Sequence, residues 1–184
     1  WSQLFSAELG EYIFTVPPQL RVGQRWYEGT ADAVFHNLHL IEQERPERVL
    51  VLSGDHVYTM DYQKMIEAHE RSGALATIGA VEVPLAQASA FGVIEIDGTG
   101  RVCSFAEKPI APRPIPGKPD RALVNMGVYC FERDVLLQAL TEDAATASRH
   151  DFGHDVLPAL VETGLLFAYP FVDENRKHEP YWRD

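Results

Sequence analysis

At 184 residues, with 46% hydrophobic and 23% charged content, the chain can bury a sizeable core in one domain and has an ordinary globular composition. A formal net charge of −11 excludes the basic face that a nucleic acid or an anionic membrane would need, yet leaves room for a small anion held by a few local cations and a metal. No basic start followed by a long apolar stretch marks a signal peptide, and no apolar run approaches the ~20 residues of a membrane span, so a cytoplasmic location is expected.

In chain order, Thr30 is expected to cap a helix running to about Glu44, with Asp32 in its first turn and Val34, Leu38 and Ile41 on one apolar face. Pro46 ends it. The run Val49-Leu50-Val51-Leu52 then reads as a strand over Arg48–Ser53, buried on both faces as in a parallel sheet. Asp61 is expected to cap a helix with Tyr62, Met65, Ile66 and His69 on one face, stopped at Ser72-Gly73. Leu75–Val83 reads as the next strand, closed by Pro84. This strand–helix–strand order implies a parallel crossover.

Further on, Gly92–Ile96 and Arg101–Phe105 form a hairpin about Asp97-Gly98-Thr99-Gly100. The proline-rich stretch 109–119 reads as a surface loop, Ala122–Phe131 as a strand and Arg133–Leu140 as a helix. Asp151 is expected to cap a helix bearing Phe152, Val156, Leu157 and Leu160, and Leu165–Phe171 is the last strand. The sum is an α/β domain: a Rossmann-like, mixed but mainly parallel sheet with helices on both faces, lacking its first strands. Cys103 and Cys130 belong to no metal or disulfide pattern and read as reduced core thiols.

The most informative segment is Ser53-Gly54-Asp55-His56. Asp55 follows the carboxyl end of a strand, where open α/β sheets bind ligands, and its carboxylate suits a hard divalent cation or, alternatively, a turn before the helix at 61. Around it, in order, stand Trp26-Tyr27-Glu28-Gly29-Thr30-Ala31-Asp32-Ala33, Phe91-Gly92-Val93, Glu107-Lys108-Pro109, Ser148-Arg149-His150-Asp151-Phe152-Gly153 and Tyr181-Trp182-Arg183-Asp184. Over the whole chain these motifs resemble the sugar-nucleotide pyrophosphorylases, and the first and fourth resemble their adenylyl branch.

The resemblance implies transfer of AMP from ATP to glucose 1-phosphate, giving ADP-glucose and pyrophosphate for glycogen or starch synthesis. It implies Mg2+ as cofactor and an allosteric homotetramer for the full-length protein. It also implies roles for single residues. Asp55 and Asp184 match the magnesium ligands, and Lys108 the cation on the sugar phosphate. Glu107 matches the acceptor of sugar hydroxyls. Lys108 and Glu107 are neighbours, and adjacent strand residues face opposite ways, so both reach one ligand only if the strand ends or bends before Pro109.

Gly92 matches a glycine lying against the sugar, its plain alternative being a bulge. Asn125-Met126-Gly127 stands where many relatives have Ser-Met-Gly, so Asn125 and Gly127 are candidates for the sugar wall, with Asn125 a departure in size. Gln19 corresponds to an adenine-reading glutamine, and Gly29 to a close approach of backbone to the base. Tyr27 belongs either beside the ligands or in the core, and His56 behind the ligands rather than among them. The chain starts at Trp1 and stops at Asp184 within a motif, as a segment of a longer protein would. By resemblance an upstream glycine-rich phosphate loop and a C-terminal β-helix are missing, and the segment alone is expected to be inactive. Two other readings stay open: a pyrophosphorylase using UTP, dTTP or GTP, and a catalytically silent regulatory subunit.

Overall fold

The computed structural model describes residues 26–173 and 182–183, with 13, 15, 16 and 175. Helices α1 (Thr30–Phe35) and α2 (Leu38–Glu44) lead into strand β1 (Arg48–Leu52), the short strand β2 (Val57–Tyr58), helix α3 (Tyr62–Ser72) and strand β3 (Ala76–Pro84). A 3-10 turn at Leu85–Ala90 precedes β4 (Gly92–Ile96) and β5 (Val102–Glu107). Then come β6 (Arg121–Glu132), α4 (Arg133–Ala144), a π-helical turn at Phe152–Val156, α5 (Leu157–Val161), β7 (Leu166–Pro170) and β8 (Trp182–Arg183).

The mixed α/β class is as expected, with the sheet ordered β5-β4-β6-β3-β7 and β1 also on β6. Among the described residues, however, only β3 and β7 pair in parallel. The reason is β6, which runs against β1, β3 and β4 alike. Because β1 and β3 are both antiparallel to it, they share one direction, and the crossover through α3 is parallel with β6 inserted between its strands. The run 49–52 does pack on both faces, Val49 and Val51 against one core cluster and Leu50 against the other, but its pairing is antiparallel and its burial partial. Its one partner among the described residues is β6, its residues are half-buried, and Leu52 is exposed.

Alternation along β6 divides the core in two. Leu123, Tyr129 and Phe131 face a cluster completed by Leu136, Leu140, Phe152, Leu157 and Leu166, against which α1, α2 and α4 pack. Ala122, Val124, Met126, Val128 and Cys130 face the other cluster, closed by Met65 of α3 and by Phe171. Helices thus cover both faces. Midway, the register of β6 against β3 jumps: Ile78 pairs with Tyr129 but Ala80 with Asn125, so β6 carries two extra residues there. An insertion of two keeps every side chain on its own face, so the alternation that separates the two clusters continues through the bulge.

Local signals worked where they were strong. The Asp61 carboxylate accepts from the Gln63 N–H and Gly73 closes α3 in the left-handed conformation. The Asp97 carboxylate accepts from the amides of Thr99 and Arg101 and builds the hairpin turn. The single helix expected over 30–44 is instead two. Asn37 interrupts it, its side-chain amide donating to the Ala33 carbonyl, and Arg45 ends α2 with φ 50°. Thr30 is no cap either: Gly29 holds that position, and the Thr30 hydroxyl turns away to Asp151. Helix α4 runs four residues past Leu140. Of the two cysteines, Cys130 is a buried core thiol, but Cys103 on β5 is exposed. No helix among the described residues is long and apolar enough to cross a membrane.

Candidate active site

Five of the expected sugar-side residues meet in one cavity of about 160 Å³. Gly92, Glu107, Lys108, Asn125 and Gly127 line it, together with His56, Ala90, Phe91 and Trp182. The condition on Glu107 and Lys108 is met by the backbone. Strand β5 ends at Glu107, and Lys108 turns into the left-handed region at φ 44° while its N–H still donates to the Phe91 carbonyl. A non-glycine residue held there carries strain of roughly 1 kcal/mol or more. The turn lets two consecutive side chains line the same cavity. Among the described residues neither the Glu107 carboxylate nor the Lys108 ammonium has a hydrogen-bond or ion-pair partner. Burial raises the Glu107 carboxyl above its ordinary range, against the opposing pull of His154 and Lys108. A half-buried acceptor with no donor and a free cation beside it suit a ligand bearing hydroxyls and a phosphate.

Two glycines make room for that carboxylate. A Cβ on Gly92 would meet Glu107 Oε2 at 2.7 Å and the Phe105 ring at 2.5 Å, and one on Gly153 would meet the same oxygen at 2.6 Å. Gly92 is thus a close-approach glycine at the start of β4, not a bulge. Gly153 lies in the π-helical turn, whose second and third amides, of Gly153 and His154, donate to the Asp151 carboxylate. Asn125 is locked by its own strand. Its Oδ1 accepts from the Gly127 N–H at 2.9 Å and its Nδ2 donates to the Tyr129 hydroxyl at 2.9 Å. Gly127 needs its φ of 69°, and a Cβ there would strike the His56 ring at 2.8 Å.

Asp55 is exposed in the loop after β1. The Ser53 hydroxyl donates to its Oδ1, which also lies 3.7 Å from His56 Nε2. That Ser53 bond, then backbone donation, holds its carboxyl below the usual range. An ionised, exposed carboxylate fits a hard cation as one ligand of several. No group of three metal-ligating side chains forms among the described residues, and Asp184, the second expected ligand, lies outside them, as does Gln19. Strand β8 pairs Arg183 with Val57, which brings the residue before Asp184 to the segment just past Asp55.

Tyr27 and Gly29 do not line the cavity. Tyr27 stacks on His36 at 5.7 Å. A Cβ on Gly29 would fall 2.2 Å from the His150 carbonyl and 2.5 Å from that of Arg149. Its small size thus has a reason inside the fold, where approach to a base was expected. The same His150 carbonyl accepts from the Ala31 and Asp32 amides, and Thr30 bridges the Asp151 carboxylate and the Phe152 N–H. The motifs at 26–33 and 148–153 are therefore one packed unit.

Sequence reasoning missed Trp182. Its ring lies 5.2 Å from Phe91 and 5.4 Å edge-on from His56, and its buried Nε1–H has no acceptor among the described residues, so it can donate to a ligand. An aromatic residue next to a candidate ligand was the available signal.

The nucleotidyl transferase family matches residues 7–184. The chain is 51% identical, over its whole length, to glucose-1-phosphate adenylyltransferase 2 of Vibrio vulnificus (strain YJ016), of which it covers 46%. It is 47% identical over its whole length to glucose-1-phosphate adenylyltransferase of Rhodopirellula baltica, covering 42% of that protein, and 50% identical over 98% of its length to that of Thiobacillus denitrificans, again covering 42%. The chain thus spans less than half the length of these relatives. With the family matching nearly all its residues, and about half of them identical to those of these relatives, the chain belongs to the nucleotidyl transferase family.

Proposed function

We propose that the full-length protein transfers AMP from ATP to glucose 1-phosphate, releasing pyrophosphate and ADP-glucose for glycogen or starch synthesis, in the cytoplasm and as a homotetramer. The observation that carries this reading is the turn at Lys108, which sets a free cation and a donor-seeking carboxylate into one small cavity. The relatives' names supply the choice of adenylyl transfer and of glucose 1-phosphate.

In this reading a phosphate oxygen of glucose 1-phosphate attacks the α-phosphorus of ATP in line with the departing pyrophosphate. The nucleophile is already ionised at neutral pH, so no general base is required. Rate comes from placing two anions together and neutralising their charge. Lys108 holds the sugar phosphate and Glu107 accepts from sugar hydroxyls. Gly92, Asn125 and Gly127 shape the wall, and Gln19, Tyr27 and Gly29 serve the nucleotide side. Asp55 and Asp184 would hold Mg2+, which when bound supplies positive charge to the phosphates. Upstream of Trp1 a glycine-rich loop would hold the triphosphate, and beyond Asp184 a β-helix would carry regulation.

The test is a panel of ATP, UTP, dTTP and GTP, each with glucose 1-phosphate and with other sugar 1-phosphates, on the full-length enzyme. ADP-glucose is expected as the preferred product. Preference for another nucleotide, or no turnover with any, would refute the proposal.

A further inference from the structure

We infer that His56 is a positioning residue that locks the Asp55 loop onto the bulge of β6, so that the candidate metal carboxylate and the sugar wall are held in one fixed relation; this rests on the function proposed above. The pairing with β3 skips Met126, Gly127 and Val128, and whereas Val128 pairs with Leu52 of β1, Met126 and Gly127 pair with no strand residue. Strand pairing therefore leaves their carbonyls in need of other donors. Both donors come from the loop leaving β1: the Ser53 N–H reaches the Gly127 carbonyl at 3.1 Å, and the His56 ring reaches the Met126 carbonyl through Nδ1 at 2.8 Å. A carbonyl only accepts, so Nδ1 carries the proton. The other side of the same ring puts Nε2 3.7 Å from Asp55 Oδ1.

The ring fits with little freedom. Trp182 meets it edge to face, and Gly127 is the residue that its Cε1 would strike if a Cβ were present. The bulge in turn presents the sugar wall, because Gly127 and Asn125 line the cavity and are joined by the Gly127 N–H to Asn125 Oδ1 bond. The imidazole therefore ties the loop that carries Asp55 to the backbone of the sugar wall through its Nδ1–H, and its far edge lies against the Asp55 carboxylate. A positional change on either side is transmitted to the other.

The test compares His56→Phe, which keeps a ring but no donor, with His56→Asn, whose Nδ2 falls where Nδ1 was, in the full-length enzyme. A buried carbonyl left without its donor costs enough to shift binding by roughly tenfold. His56→Phe is expected to raise both KM for glucose 1-phosphate and the half-saturating Mg2+ concentration by about that factor, while KM for ATP moves less than about twofold. Hydrogen exchange, read without substrate or metal, should quicken together over 53–58 and 125–129. His56→Asn should restore all three readouts to within about threefold. If the phenylalanine variant does not fold, His56→Gln, with its donor at the Nε2 place, is read in the same way. A variant that quickens exchange in only one segment, or loses thermal stability with unchanged KM, would overturn the inference. So would His56→Asn as impaired as His56→Phe. Failure of the parent enzyme to make ADP-glucose would instead refute the proposed function, and the exchange experiment would still decide the lock.

Discussion

Gly153→Ala separates a site effect from a folding effect. The new Cβ would lie 2.6 Å from Glu107 Oε2 and 3.0 Å from Cδ, where ordinary contact begins at 3.4 Å, so the carboxylate must retreat by about 0.8 Å. Gly92 crowds the same oxygen, which narrows the ways out. Forcing atoms into a packed region commonly costs ~1–3 kcal/mol. Here the yielding group is the end of a flexible side chain, so the stability loss should sit at or below the lower limit. The displaced atom, however, is the proposed acceptor of the sugar hydroxyls. Loss of a charged hydrogen bond is worth ~1.5–3 kcal/mol, which is about tenfold to about 150-fold in KM for glucose 1-phosphate. The assay is steady-state kinetics in both substrates on the full-length enzyme, with a thermal melt alongside. Gly29→Ala is the contrast: its Cβ would meet two backbone carbonyls at 2.2 and 2.5 Å, and backbone cannot step aside. That variant should melt far lower or fail to fold. An unchanged KM for glucose 1-phosphate in Gly153→Ala, or an equal rise for ATP, would refute the role given to Glu107.

Three further outcomes are expected. Lys108→Gln should raise KM for glucose 1-phosphate by roughly tenfold or more with little change for ATP, and equal rises for both substrates would count against the assignment. Asp55→Asn should keep the melting temperature and lower turnover about a hundredfold, a near-normal rate at ordinary magnesium concentration being the contrary result. The third concerns pH. Burial holds His69 below the ordinary 6.5, while the Asp143 bond holds His150 above it. A lowered folded pKa means that the unfolded chain takes up the proton first, so His69 costs stability as pH falls below 6.5; a raised one means that His150 adds stability below 6.5 and loses it as pH rises through the folded value. In urea titrations between pH 7.5 and 5.5, His150→Gln should make the fall toward acid steeper than in the parent, and His69→Gln should make it shallower. Shifts of the same sign in both variants would contradict the two environments.

What could be read from the sequence followed the range of the interaction. Asp61 and Asp97 accept from amides within four residues and Gly73 donates to the carbonyl three residues back, and each did what its chemistry implies. Thr30 failed as a cap because its partner, Asp151, is 121 residues away. Val49–Leu52 does meet a core cluster on each face, but composition reports neither strand direction nor how complete the cover is, and the strand is antiparallel to β6 and half-buried. The stretch 122–131 reads as one unbroken strand, and nothing in it announces a two-residue bulge, since such an insertion leaves the alternation of faces unchanged. In the site, Glu107, Lys108, Gly92, Asn125 and Gly127 were recognisable from their motifs, and Pro109 hinted at the bend. Trp182 was not singled out, because its place depends on β2 and β8, strands of two residues each with no pattern of their own.

The left-handed turn at Lys108 sets foldability and ligand chemistry against each other at a single codon. Glycine would adopt a φ of 44° without penalty, so judged by melting temperature alone Lys108→Gly should look like an improvement. The same change deletes the only ammonium lining the cavity among the described residues. Arg45, also left-handed, merely ends a helix and offers no such conflict. A campaign that ranks variants of this protein by thermostability would therefore accept glycine at both positions and, at one, lose the cation proposed to hold the sugar phosphate. Sorting on bound ligand before sorting on heat would keep the lysine.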